Sequence, residues 1–566
     1  MNKRLEREKI QMNALKGINH QIIDNSYDPL LAVTCDNGTF VGNKINGVLS
    51  YKGIPYALPP VGNLRWKPPV DATENEGVYE AYYFGKSGIQ TEAESERASL
   101  YYIGEDCLTL NVWTAPGDKP KTVMVFFPGG AYGWGGTADP LYDGQKFVEA
   151  HRDIVLVTVN YRIGLMGFMD FSALEGGEEY QKSGNLGLLD QISALRWVKR
   201  NIEHFGGDPS NVTIFGESAG ASSVSLLPLI AEAKGLFKRV IAESGSIAFT
   251  YSRQECQKAT QMLIKETGAT CMDNLLALTE EQLIKINKKL NDYNNFPERD
   301  GIVLPLDVYD AYASGMGSDI EMLTGTNKDE ARYWINEVGD MAVYRIAAPL
   351  LYYSIVERLN EEDQHYPKDF IDLQYGDEPW KKTEFFNDLI FRIPALTQAE
   401  YHSSNGGKNY FYYWAKESSL PNLGACHAVE LAYVFNNLND TIYTGSPADK
   451  KLAETVQEMW VNFAKTGDPS TQEHHWKPYD SIDRFTMVLD DEIREEKDIL
   501  KEQRLLVEPL MKYRFNGYYM MVDYALMYLK KLLVKGLKIL VAVEISIGSL
   551  ALLRKLLFRK DQQRNK

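Results

Sequence analysis

Short, continuous apolar runs alternate with stretches of helical period along most of the chain. Thr122 to Phe127, Asp153 to Asn160 (DIVLVTVN), Val212 to Phe215, Val240 to Ala242, Met322 to Thr324 and Tyr410 to Trp414 read as strands buried on both faces. Between them, Leu186 to Phe205 carries helical periodicity, and residues 250 to 295 and 335 to 405 look helical enough to form insertions roofing a site. Strands alternating with helices predict a large, mostly parallel, doubly wound sheet flanked by helices. Ahead of it, LAVTCDNGTFVG holds an Asp36-Asn37-Gly38 hairpin signal, and LTLNVW after Cys107 alternates like a strand. Tyr51 to Pro69 is so dense in Pro and Gly that it reads as a non-regular surface segment. Residues 70 to 104, acidic and Tyr-rich, read as loop and short strands over the pocket.

The chain ends differ from this body. Residues 1 to 28 form a polar N-terminal extension without an apolar h-region, so no secretory signal is expected and the protein reads as cytoplasmic. Residues 509 to 566 form a basic tail: from Met511 there are twelve Lys and Arg against three Asp and Glu. Its apolar stretch, Leu532 to Phe558, is interrupted by Lys535, Lys538, Glu544, Arg554 and Lys555. It lacks the roughly 18 uninterrupted apolar residues of a membrane span. A helix lying at a membrane surface, or one that docks or self-associates, fits it.

Composition changes this picture little. The chain has 566 residues, 44% hydrophobic and 24% charged, as an ordinary globular protein does. Its net charge of −16 argues against a nucleic-acid partner. Five cysteines without a C-x-x-C pair suggest neither a zinc site nor a redox motif, and no metal or cofactor is expected.

Candidate chemistry enters at Gly216-Glu217-Ser218-Ala219-Gly220, between the strand-like Val212 to Phe215 and a small-residue helix start. A serine there sits on a tight turn, with glycines where a β-carbon would strike strand or helix, and its hydroxyl is held out of the sheet. Such a hydroxyl needs a general base and an orienting carboxylate, in chain order Ser, acid, His. Of the later histidines, His365 and His402 lie in charged helical surroundings, and His474 and His475 in a polar loop. His427, in LGACHAVE, is the better candidate, and Gly325 to Glu330 offers Asp329 and Glu330 as acids after a strand.

Six strings, in order, carry a resemblance over roughly Leu31 to Glu508: YKGIPYALPPVGNLRWKPP, GEDCLTLNVW, NYRIGLMGF, GNLGLLDQISALRWVKRNIEHFGGDPSNVTIFGESAGA, GTNKDEAR and GACHAVELAYVF. The sequence resembles the type-B carboxylesterase/cholinesterase family. This implies an α/β-hydrolase fold for a catalytic domain over residues 29 to 508, with helical insertions over the active site. It implies Ser218 as nucleophile, Glu330 rather than Asp329 as triad acid, and His427 as base. Backbone N–H groups of Gly130, Ala131 and Ala219 would form the oxyanion hole. Arg65 with Glu105 and Arg162 with Asp190 would be structural ion pairs, and Glu217 would lie near the site.

Pro128 stands where the family has His or Tyr, and Ala131 where it has a third Gly. The family's first disulfide would join Cys107 to the position of Gly88, and Cys271 has also lost its partner, as in a reducing compartment. With no Trp between Gly88 and Cys107, the choline-binding ring of cholinesterases is absent from that segment, and a bacterial-type general carboxylesterase is the better match. The implied function is metal-free, cofactor-free hydrolysis of small to medium, largely uncharged esters. The alternatives are a catalytically silent, adhesion-type binding module and a membrane-associated lipid esterase.

Overall fold

The computed structural model describes residues 17–90, 102–290, 296–333 and 341–515. Its centre is an eleven-stranded sheet. In chain order the strands are β1 (Asn43–Ile45), β2 (Val48–Pro55), β3 (Thr109–Thr114), β4 (Lys121–Phe127), β5 (Ile154–Val159), β6 (Gly207–Glu217), β7 (Arg239–Glu243), β8 (Glu321–Asn327), β9 (Asn409–Trp414), β10 (Phe485–Leu489) and β11 (Arg494–Lys497). Across the sheet they lie in the order β11-β10-β9-β8-β7-β6-β4-β5-β3-β2-β1. Strands β4 to β10 run parallel, and the outer strands on both sides run antiparallel.

The continuous apolar runs are explained by burial on both faces. Along β4 every residue is buried. Val123, Val125 and Phe127 join one core and Met124 and Phe126 the other, as the twofold period of a strand requires. Helix α1 (Leu186–Asn201) supplies Leu195 and Trp197 to the first core, and α2 (Ala219–Leu226) follows β6. Helix α3 (Lys450–Thr466) supplies Trp460 and Phe463 to the second. The helical insertions are present as Arg253–Thr267, Glu280–Leu290, Met341–Val356, His365–Leu373, Glu378–Phe386 and Ile393–Ser404, with a π-helical stretch, Asn387–Arg392, before the last.

The hairpin at Asp36-Asn37 pairs Ala32–Cys35 with Gly38–Val41, Cys35 opposite Gly38. One expectation needs correction. The Pro- and Gly-rich stretch from Tyr51 is regular at its start, because it completes β2 in the central sheet. Its pairing with β3 shifts between Tyr51 and Ile54, where Gly53 takes φ +72° and donates its N–H to Asn111 Oδ1 at 2.9 Å. This bulge breaks the alternation by which a strand is recognised. β10 and the wholly polar edge strand β11 (REEK) are also additions, and charge on an edge strand discourages pairing with other chains.

Packing continues at both ends of the catalytic body. Asn19 bonds the carbonyls of Lys52 and Tyr83, and Leu510, Met511 and Phe515 are buried in the main core. Among the described residues no helix is long and apolar enough to cross a membrane. The apolar part of the tail, Leu532 to Phe558, lies outside them.

Candidate active site

The C-terminal ends of parallel strands are where the fold exposes backbone and side chains to a crevice. β6 ends at Glu217 and α2 begins at Ala219, leaving Ser218 alone at φ 57°, ψ −119°. An L-residue reaches this region only under constraint, and the constraint is visible. Ser218 N–H donates to the Glu243 carbonyl at 2.8 Å, and Ser222 N–H donates to the Ser218 carbonyl at 2.9 Å. A Cβ on Gly216 would stand 2.6 Å from the Gly220 carbonyl carbon, and one on Gly220 would overlap the Phe127 carbonyl. The two glycines are therefore required by close approach of β4, β6 and α2. Ser218 is half-buried between fully buried neighbours.

The glycine-rich loop after β4 runs past this serine: a Cβ on Gly129 would lie 3.0 Å from Ser218 Cβ. Gly130, Ala131 and Tyr132 all take positive φ, and the Gly130 carbonyl accepts from Gly133 and Trp134 N–H at 2.9 and 3.0 Å, closing a tight turn. Pro128 at its start is fixed by Tyr161 Oη–H donating to its carbonyl at 2.7 Å. Among the described residues, none accepts a hydrogen bond from the N–H of Gly130, Ala131 or Ala219.

His427 follows β9, and Glu330 opens the turn after β8. His427 Nδ1 lies 2.6 Å from Glu330 Oε2, while Glu330 Oε1 accepts Asn327 N–H at 2.8 Å. Glu330 is fully buried. Asp329 serves a different partner. Its N–H donates to the Ala425 carbonyl and its Oδ2 accepts Ala425 N–H, both at 2.9 Å, which pins the loop that carries His427. His402 is spent on the Ile320 carbonyl, and His365 on that of Glu362.

The Nε2 side of the imidazole faces Glu217 Oε1 at 3.0 Å, a close charge contact in which that oxygen accepts no aligned hydrogen bond. Burial disfavours the imidazolium, but Glu217 first and Glu330 next outweigh it and raise His427 to about 9. Glu217 is itself raised by burial, an effect reduced by His427 and reinforced by Glu430 and Glu330. An ionised Glu217 thus favours the imidazolium, and the imidazolium in turn opposes protonation of Glu217.

The residues that frame the His427 imidazole carry no signal in the sequence. Phe391, in the π-helical stretch, packs on the imidazole at 5.1 Å between ring centroids, and Tyr333 meets it edge-on at 5.9 Å. Phe249 and Phe296 continue the aromatic wall. Asn387, four residues before Phe391, accepts Ala331 N–H at 2.8 Å and donates to the Lys328 carbonyl at 3.1 Å, fixing the acid turn. No local motif marks these positions. The expected ion pairs are both bidentate. Arg65 reaches Glu105 at 2.6 and 2.7 Å, and Arg162 reaches Asp190 at 2.8 and 2.6 Å with both side chains fully buried. Cys35, Cys107 and Cys426 are buried and Cys271 is half-buried, and none of these four forms a disulfide.

Comparison with known proteins agrees with this geometry. The Carboxylesterase family profile matches residues 29–507. Para-nitrobenzyl esterase of Bacillus subtilis is 36% identical over 500 residues, covering 84% of this chain and 98% of that relative. Liver carboxylesterase of Sus scrofa is 31% identical, covering 78% of this chain and 85% of its own. The crystal structure of a Geobacillus stearothermophilus carboxylesterase superposes with a TM-score of 0.75 at 32% identity, over 84% of this chain and 99% of that one. An α/β-hydrolase sheet with a strained serine at the turn between strand and helix, matched over most of its length by esterases, establishes that this chain belongs to the carboxylesterase family.

Proposed function

We propose that this carboxylic ester hydrolase works through Ser218 as nucleophile, His427 as general base and Glu330 as the carboxylate that orients it. Ser218 attacks the ester carbonyl as His427 takes its proton, which then goes to the leaving alcohol. Glu330 holds the imidazole with its proton on Nδ1 and stabilises the imidazolium. Water repeats the sequence on the acyl-enzyme and releases the acid. The N–H groups of Gly130, Ala131 and Ala219 receive the tetrahedral oxyanion, and each such donor contributes roughly 100- to 1000-fold in rate. The observation that carries the reading is the buried 2.6 Å contact of Glu330 with His427, whose Nε2 side lies 3.0 Å from Glu217, the residue before Ser218. A fluorophosphonate should label one residue, mapped by peptide mass to Gly216–Gly220; an adduct elsewhere overturns the assignment.

The aromatic wall of Phe249, Phe296, Phe391 and Tyr333 supports small to medium esters with uncharged, largely apolar groups. The free thiols of Cys35, Cys107, Cys271 and Cys426 support a cytoplasmic location. The presence of all three triad residues disfavours a silent binding module.

The charge of Glu217 sets where the base titrates. Glu217→Gln removes the largest upward influence on His427, so the imidazolium is less favoured and its pKa falls. The acid limb of kcat/KM against pH should move down by roughly one unit. A limb that stays put or moves up would show that Glu217 does not act on the base.

The tail supplies a second, separable property. Beyond Phe515, ten cationic residues interleaved with apolar ones suit attraction to an acidic membrane surface. Truncation belongs after Phe515, because Leu510, Met511 and Phe515 are core residues, and Tyr513 Oη–H donates to Asp363. The protein ending at Phe515 should keep its kcat/KM on a soluble ester and lose sedimentation with phosphatidylserine vesicles. Unchanged sedimentation removes the membrane role, and a change in oligomeric state instead assigns the tail to self-association.

A further inference from the structure

Behind His427 the strand ends enclose acids that ester hydrolysis does not use. Glu217 and Glu243 occupy paired positions on the parallel strands β6 and β7, so their side chains leave the same face of the sheet. Glu430 lies three residues beyond the base. All three are at most 3% exposed. Glu243 Oε1 accepts Trp460 Nε1–H at 3.0 Å, and Glu430 Oε2 accepts from Asn327 Nδ2. Among the described residues, Glu243 Oε2, Glu430 Oε1 and Tyr412 Oη have no hydrogen-bond partner.

Two fully buried carboxylates, with Glu217 and Glu330 also at hand, cannot all be charged around a single imidazole. A buried charge without a countercharge is neutralised by taking up a proton. Among the described residues, the groups facing this space are Glu217 on β6, Tyr412 on β9, Cys426 and His427 on the loop after β9, Glu330 after β8, and Trp460 on α3, and none of these is a fixed cation.

We propose that Glu243 is held as a neutral acid at neutral pH, so that of these two buried acids Glu430 alone presents a negative charge to His427. This rests on His427 being the base. Burial first and Glu430 next push Glu243 well above the usual carboxylate range. Glu430 is raised to about 7 by burial and then by Glu330. With Glu243 neutral, the imidazolium is stabilised less than it would be with both acids ionised.

Glutamine mimics a neutral glutamic acid and keeps an oxygen for Trp460. In Glu243→Gln the acid limb of kcat/KM should keep its position, whereas Glu430→Gln, which removes the one charge, should move it down by roughly one pH unit. If Glu243→Gln moves the limb as far as Glu430→Gln does, Glu243 is ionised and the proposal falls. It falls too if neither variant moves the limb. Infrared difference spectra of the intact protein at pH 7 give a readout independent of catalysis: Glu243→Gln should lose a protonated-carboxyl C=O band. A spectrum that loses only a carboxylate band, or none, overturns the proposal. Should fluorophosphonate map away from Ser218 while the protonated band is still lost, the catalytic reading fails and the protonation of Glu243 stands.

Discussion

Replacing Ser218 by Ala should lower kcat on a short-chain aryl ester by about a millionfold. The size follows from what remains: the oxyanion donors and the binding pocket, worth about 10³–10⁴ over water in serine hydrolases without their triad. The fold should be indifferent to the change. The strain at φ 57° is borne by the backbone bonds to Glu243 and Ser222, which alanine keeps, and the hydroxyl lies at a half-buried position. The thermal unfolding midpoint should therefore match the parent while hydrolysis and fluorophosphonate labelling vanish together. A variant within about 100-fold of the parent rate would place the nucleophile elsewhere.

What could be read from the sequence was what is local in the chain. Strand, tight turn and helix around Ser218 follow one another within twenty residues, and the glycines that permit the turn are part of the string. The acid was not legible in this way. Asp329 and Glu330 are adjacent carboxylates on one turn, and only the family resemblance favoured Glu330. The physical reason lies in contacts made across the fold: Asn327 N–H takes one oxygen of Glu330 and His427 the other, while Ala425 engages Asp329. β2 was missed because a bulge at Gly53 hides its period. Phe391 and Asn387 depend on a π-helical stretch that no residue pattern announces. Glu243 and Glu430 look in sequence like ordinary surface acids, and only the convergence of strands distant in the chain buries them together.

Glu330→Gln should cost about ten thousandfold in kcat, although one atom changes. The amide has one acceptor and one donor where the carboxylate had two acceptors. Asn327 N–H, a fixed backbone donor at 2.8 Å, claims the amide oxygen, because turning the NH₂ toward it would set donor against donor. The NH₂ then faces His427 Nδ1 and holds the imidazole in the tautomer protonated on Nε2, which cannot accept the serine proton. Buried geometry is preserved, so stability should change little beside the loss of rate, and steady-state kinetics with a melting curve on the same sample separates the two. Combining Glu330→Gln with Ser218→Ala should be no slower than Ser218→Ala alone, because an oriented base has nothing to do without its nucleophile. Asp329→Asn, which keeps an oxygen for Ala425 N–H, supplies the contrast. If it were the variant that lost thousands-fold in rate, with Glu330→Gln within about tenfold of the parent, the orienting acid would be Asp329, and the 2.6 Å contact would be structural only.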